Sequence, residues 1–211
     1  MAPFTLYGRT GWGSALVEAQ LTRLGLDYDF RPVGDVFKDE AARVALAAVN
    51  PLAQVPTLVL PDGAIMTESA AITLHLADLT GRDDLVPGPA APERAAFLRW
   101  LVFLVANIYP TFTYGDEPER FVALEAARRP FREAADAYAE RLYRVVEGAA
   151  GAPFFLGERF SALDIYVGVM TRWRPKRPWF ARNAPRLHAI ATRVDAMPDL
   201  AGVWARNWPD G

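Results

Sequence analysis

The 211-residue chain contains no cysteine, which excludes disulfide staples, thiolate metal ligands and a cysteine nucleophile together. Histidine is almost as scarce. His75 and His188 do not make the imidazole-rich set that transition metals favour, and no metal site is expected. An excess of charge of one sign is also missing: Lys plus Arg number 23 against 25 Asp plus Glu, a net charge of −2. Nothing supplies the basic field that a phosphate backbone requires, so nucleic acid is not an expected partner. Long apolar runs are lacking too. The most apolar stretch, Leu101 to Ala106, follows Arg99 and is too short to span a bilayer, so it reads as a buried helix turn and no membrane partner is expected. Residues Met1 to Arg9 lack the charged start and apolar run of a secretory leader, which points to a cytoplasmic protein.

What is present is the balance of a folded chain: 52% hydrophobic and 23% charged residues. The first part alternates strand and helix patterns. Phe4 and Leu6 mark a short strand, closed by the glycine-bearing loop Gly8 to Gly13. Ser14 reads as the N-cap of a helix that stops at Gly25. Tyr28 to Val33 alternates as a second strand, and Asp35 to Ala48 is helix-like. After Asn50-Pro51, the segments Val55 to Leu60 and Ala64 to Thr67 predict a hairpin around Pro61-Asp62-Gly63. A helix from Glu68 to about Leu79 follows, and residues 81–91, rich in Gly and Pro, read as a linker. Beyond it lie only helical patterns, roughly over 92–114, 118–148, 161–175, 184–196 and 199–207. The expected class is therefore α+β: residues 1–80 as a βαβαββα domain, 81–91 as linker and 92–211 as an all-helical domain.

Specific residues add a resemblance to this order. Asn50-Pro51 through Gln54-Val55-Pro56 resembles the cis-proline segment of the soluble, bacterial-like glutathione transferases, and Thr67-Glu68-Ser69 resembles the Glu-Ser helix start of that family. Ser161-Ala-Leu-Asp164 resembles the capping box and buried aspartate of its long central helix. The resemblance spans nearly the whole chain and implies a thioredoxin-like first domain that binds glutathione as co-substrate, with no bound cofactor. It also implies a homodimer with the third and fourth helices at the interface, and a role in detoxification.

Glutathione is a short peptide with charged ends, so its site needs backbone pairing for the middle and matched charges at each end. If Val55-Pro56 is cis, the Val55 N–H and C=O are free to pair with the cysteinyl backbone; a trans proline at a strand start is the alternative. The third helix start, with Ser69 as donor and Glu68 facing the ammonium, suits the γ-glutamyl group, whereas ordinary capping by Thr67 is the structural alternative. Gln54 is a candidate for the other end by resemblance, and Arg9 a further one.

The thiol has an ordinary pKa of about 8.5, and lowering it by two requires roughly 2.7 kcal/mol of thiolate stabilisation, within reach of one hydroxyl and a helix N-terminus. By resemblance, the position usually held by a catalytic Ser falls near Gly11 and the Cys-type position near Gly13, a departure from the family pattern. Ser14 is then the first candidate donor, as the hydroxyl at the helix start, and Thr10 the second. Tyr7 and the main-chain N–H groups of Gly11 to Gly13 remain open alternatives.

The acceptor pocket of the family is implied to take a small hydrophobic electrophile, with Trp12, Tyr109, Phe112 and Tyr114, and also Trp173, as candidate lining. Simple packing is the commoner role for each of these aromatics except Trp12, which sits between glycines in the loop beside the proposed thiol and is expected as an exposed indole that covers the ligand or contacts a partner subunit. Arg172, Arg174, Lys176 and Arg177 read as a solvated helix end. The expected function is a glutathione transferase. A non-catalytic protein binding glutathione or an apolar ligand, favoured by glycine where the hydroxyl is expected, and a glutathione-dependent isomerase stand as alternatives.

Overall fold

A computed structural model describes residues 3–209. In β1 (Phe4–Gly8), Phe4, Leu6 and Gly8 are buried while Thr5 and Tyr7 are half-buried, the period-two pattern of a sheet covered on one face. Gly8 is required by close approach. A Cβ there meets the Phe30 ring at 2.6 Å and the Ser14 side chain at 2.7 Å. α1 (Ser14–Leu24) is buried along nearly its whole length and ends where Gly25 takes up φ 67°, a left-handed cap open to glycine at little cost. The chain then returns as β2 (Tyr28–Pro32), parallel to β1.

α2 (Glu40–Ala47) starts later than its Ala and Val spacing suggests. The reason is local: Asp35 folds over to accept the Phe37 N–H, and Asp39 caps the amides of Ala41 and Ala42. β3 (Thr57–Val59) and β4 (Ile65–Met66) form the expected hairpin, which leads into α3 (Ser69–Thr80). The sheet order is β2-β1-β3-β4, with β1 antiparallel to β3. This mixed four-stranded sheet with helices is the expected thioredoxin-like arrangement.

The chain forms two compact units. One holds the residues up to Val86 together with those from Arg193 onward, and the other holds Pro87–Thr192. Within the first unit, a 3-10 turn (Pro198–Leu200) and the short C-terminal helix lie against α1. Arg23 of α1 pairs with Asp199 at 2.7 Å.

The second unit is helical. α4 (Arg94–Phe103), a π-helical turn (Leu104–Ile108) and α5 (Tyr109–Asp116) run on as one helix. By length and composition this stretch is able to cross a membrane. Its buried residues, however, fall on one face (Phe97, Trp100, Leu101, Leu104, Ile108 and Phe112), the stripe of a helix packed on a core. α6 (Glu125–Ala149) starts later than the 118–148 pattern, because Pro118–Arg120 is a separate 3-10 turn.

α7 (Ala162–Met170) opens with a capping box in which Ser161 and Asp164 bond one another's amides. Asp164 is fully buried, and it accepts from the Phe155 and Ser161 amides, each at 2.7 Å. α7 stops five residues short of the expected helix, and a helix absent from the sequence reading, α8 (Arg177–Asn183), follows with Pro178 in its first turn. The basic run is correspondingly not a solvated helix end. Arg174 pairs with Asp116 and Asp136, and Arg177 donates to the Gly168 carbonyl at 2.8 Å. α9 (Pro185–Asp195) and α10 (Ala201–Asn207) complete the chain.

Candidate functional site

Strand register brings three loops to one end of the sheet. Tyr7 of β1 lies opposite Thr57 of β3, and Leu58 lies opposite Met66 of β4. The loop after β1, the turn before β3 and the start of α3 therefore leave the sheet at the same end. All three belong to the first unit.

The turn before β3 is braced by a side chain that the sequence reading passed over. Asn50 is buried, and its amide nitrogen donates to the Gln54 carbonyl at 3.1 Å and to the Thr57 hydroxyl at 3.0 Å. Its oxygen accepts the Leu52 N–H at 3.1 Å, and the Thr57 hydroxyl donates to the same Gln54 carbonyl at 2.8 Å. Ala53 is held at φ 48°. Val55-Pro56 is cis. Among the described residues the half-buried Val55 N–H and C=O meet no hydrogen-bond partner, although buried main-chain groups are nearly always paired. The Gln54 side chain is exposed beside them.

At the start of α3, Glu68 stands as N-cap at φ 62° with no side-chain cap. This differs from capping by Thr67. Ile72 makes the first intrahelical bond, to the Glu68 carbonyl at 3.0 Å, so the Ser69, Ala70 and Ala71 amides have no helical acceptor. Ser69 is buried beneath this end and Glu68 is exposed above it. Uncapped amides and the positive end of the helix dipole make an anion-binding corner.

The loop after β1 separates the two candidate hydroxyls. Gly13, not Ser14, is the N-cap position of α1. Ser14 is 0% exposed, and its hydroxyl accepts from the Arg9 N–H at 3.0 Å and donates to the Arg9 carbonyl at 3.2 Å. Thr10 is exposed, and its hydroxyl meets no hydrogen-bond partner among the described residues. Two loop amides are committed elsewhere: Gly11 donates to Asn207 Oδ1 at 3.2 Å, and Trp12 donates to the Arg9 carbonyl at 3.0 Å.

Arg9 reaches Asp35 at 3.4 Å, with its guanidinium 5.1 Å from the centre of the Trp12 ring. Trp12 itself is half-buried, stacked on Phe37 at 5.3 Å, and packs with Tyr7 on the small cluster of Val36, Leu46 and Ala53. Its indole is therefore a supporting wall of this loop, not an isolated exposed ring.

In the second unit, Tyr109, Phe112 and Trp173 form a mutual edge-to-face cluster, with centroids 5.2 to 6.4 Å apart. Tyr114 pairs instead with Phe121 at 4.9 Å and is 45% exposed.

The family model for the glutathione S-transferase N-terminal domain matches residues 17–79. Over 205 residues the chain is 41% identical to the uncharacterized GST-like protein YncG of Escherichia coli (strain K12), covering 96% of this chain and 97% of that protein. It is 30% identical over 156 residues to glutathione S-transferase GstA of Escherichia coli O157:H7, covering 72% and 73% respectively. A glutathione transferase homologue from sulfitobacter, solved with bound glutathione, superposes with a TM-score of 0.83 at 23% identity, covering 96% of this chain and 97% of that one.

Proposed function

The chain belongs to the glutathione S-transferase family, and from that premise we propose that it binds glutathione at the end of its sheet and activates the thiol for attack on a small hydrophobic electrophile. The observation that carries this reading is the pair of unpartnered main-chain groups on Val55 beside the uncapped start of α3. An extended peptide backbone pairs with the first, and a carboxylate is held by the second. Ser69 supplies a hydroxyl to the γ-glutamyl carboxylate, Glu68 faces the ammonium, Pro56 shapes the turn and Gln54 flanks the far end of the peptide.

The thiolate is stabilised by the Thr10 hydroxyl together with the amide end of α1. The free, exposed hydroxyl of Thr10 supports this, whereas Ser14 keeps its hydroxyl on Arg9 and acts by holding the loop. Trp12 supports the same loop, and the aromatic side chains of Tyr109, Phe112 and Tyr114 contribute to the acceptor site. The protein works as a homodimer in the cytoplasm, needs no metal and serves detoxification.

Calorimetry with glutathione tests the binding step, and the pH dependence of the thiolate absorbance of bound glutathione tests the activation step. Saturable heat and a lowered thiol pKa are expected; no heat overturns the reading. One observation favours a second reading, a protein that binds glutathione without turnover: the hydroxyl at the helix start is occupied, and glycines stand at positions 11 and 13. Binding with an unshifted thiol pKa selects it. Recovery of unconsumed glutathione with a rearranged substrate selects an isomerase instead.

A further inference from the structure

The loop that carries Thr10 is tied to the far end of the chain. Asn207, in the last turn of α10, accepts the Gly11 N–H on Oδ1 at 3.2 Å and donates from Nδ2 to Glu18 Oε2 at 2.8 Å and to the Val203 carbonyl at 2.9 Å. Asn207 and Glu18 are both buried. Glu18, on α1, also receives Arg206 and the Tyr28 hydroxyl, the latter at 3.3 Å. Burial raises the Glu18 carboxyl pKa, opposed by Asn207, Arg206 and Tyr28. The Val203 carbonyl only accepts, and the Glu18 carboxyl is met by donors alone from Tyr28, Arg206 and Asn207, so together they fix which end of the Asn207 amide is nitrogen, and the oxygen is left for Gly11.

The consequence for the loop is geometric. A trans peptide is planar, so directing the Gly11 N–H at Asn207 turns the Thr10 carbonyl the opposite way and sets the backbone orientation of Thr10. Gly11 sits at φ 76°, a conformation open to glycine that does not hold itself. The Asn207 oxygen is the side-chain acceptor that gives this amide its direction.

We propose that Asn207 is a positioning residue for thiol activation, holding the Thr10–Gly11 peptide through its side-chain oxygen while Glu18 orients the Asn207 amide. This rests on the functional reading above, and it assigns the effect to the Asn207 amide itself and not to the general stability of α10. Positioning of this kind acts on thiol acidity more than on glutathione affinity, because the peptide contacts of glutathione lie on Val55 and α3. Small displacements of a stabilising donor cost large factors in rate.

The test compares Asn207→Ala with Trp204→Phe. The latter removes the Trp204 Nε1 bond to the Val194 carbonyl, 3.2 Å, and so weakens the same C-terminal segment without touching Gly11. Glutathione affinity is measured by calorimetry, the thiol pKa by thiolate absorbance, turnover with a chromogenic aryl halide, and stability by thermal melting. In Asn207→Ala we expect affinity within about 3-fold of the parent, a raised thiol pKa and a turnover at neutral pH reduced about 10-fold that recovers as pH rises. Trp204→Phe is expected to lower the melting temperature and leave the thiol pKa in place.

Unchanged thiol acidity in Asn207→Ala, or equal loss in both variants, overturns the proposal. Amide hydrogen exchange of the parent reads the bond without any variant: protection at Gly11 supports the clamp, and exchange as fast as in an exposed loop overturns it. A parent protein that binds no glutathione removes the functional reading itself. A parent that binds and acidifies glutathione, beside an unaltered Asn207→Ala, removes this inference alone.

Discussion

The Ser14 hydroxyl closes a two-way bond with one residue, accepting the Arg9 amide at 3.0 Å and donating to the Arg9 carbonyl at 3.2 Å. Both groups of one peptide neighbour are thereby satisfied from the first residue of α1, in the space left open by Gly8. The hydroxyl that looks best placed for catalysis by sequence position is the one most fully used in building the loop.

Two substitutions separate building from chemistry. Ser14→Ala leaves the Arg9 amide without its partner and the Arg9 carbonyl to the Trp12 N–H alone, and is expected to cost about 1–3 kcal/mol, roughly 2–12 °C in melting temperature for a chain of this size. Thr10→Val is at an exposed site and is expected to leave melting within about 1 °C. Its thiol pKa is expected to rise, and its turnover at neutral pH to fall about 10-fold. Thermal melts and pH–rate profiles on both variants check this, and a larger loss of thiol acidity in folded Ser14→Ala than in Thr10→Val reverses the assignment.

At the start of α3 the expectation concerns affinity. Ser69→Ala removes a hydroxyl at the anion-binding corner, and a charge-assisted bond is worth about 1.5–3 kcal/mol. Glutathione binding should weaken on the order of 10- to 100-fold, while kcat at saturating glutathione changes little. Glu68→Gln should weaken binding less, since Glu68 is exposed and its partner is solvated. Calorimetric titration of the two variants measures both. Parent-like affinity in Ser69→Ala would show that the γ-glutamyl carboxylate is held elsewhere.

Much of this site was legible in the sequence because its signals are local. Val55-Pro56 and Glu68-Ser69 flank a hairpin whose Pro61-Asp62-Gly63 turn fixes the strand register, and register then brings the two ends together. Ser161 and Asp164 likewise speak at a spacing of three. Asn50 was missed although an Asn before a turn is a known signal, since its role depends on Thr57 seven residues on. Asn207 carried no signal at all: its partners Gly11 and Glu18 lie 196 and 189 residues away. α8 was hidden by Pro178, which marks a break in sequence but occupies the first turn of a helix in the fold.

The Asn50 brace makes its own prediction. Asn50→Ala deletes three hydrogen bonds at a buried site and leaves the Gln54 carbonyl to the Thr57 hydroxyl alone. A loss of about 2–4 kcal/mol in stability is expected. Glutathione affinity should fall with it even under conditions where the variant is fully folded, because the Val55 main chain loses its fixed direction. Denaturant titration and calorimetry at low temperature check the pair. Full affinity in a destabilised but folded Asn50→Ala would separate the brace from the binding turn.

Asp164 ties stability to pH in the second unit. Burial pushes its carboxyl from the ordinary 3.8 up to about 6, against the opposing bonds from the Phe155 and Ser161 amides and the Ser161 hydroxyl. Between these two values the folded chain binds more protons at this site than the unfolded chain does, so the share of stability due to Asp164 falls as pH rises from about 4 to about 6. The displacement is worth on the order of 3 kcal/mol. Asp164→Asn does not titrate. It keeps one oxygen for an amide and presents an NH₂ to the other, so it is expected to be less stable than the parent throughout this range. The gap between parent and variant should be widest near pH 4 and shrink by about 3 kcal/mol by pH 7. Denaturant unfolding of both proteins at several pH values measures that gap. One that stays constant, or widens toward neutral pH, means that the amide bonds hold the Asp164 carboxylate ionised in the folded chain and that burial is the weaker force.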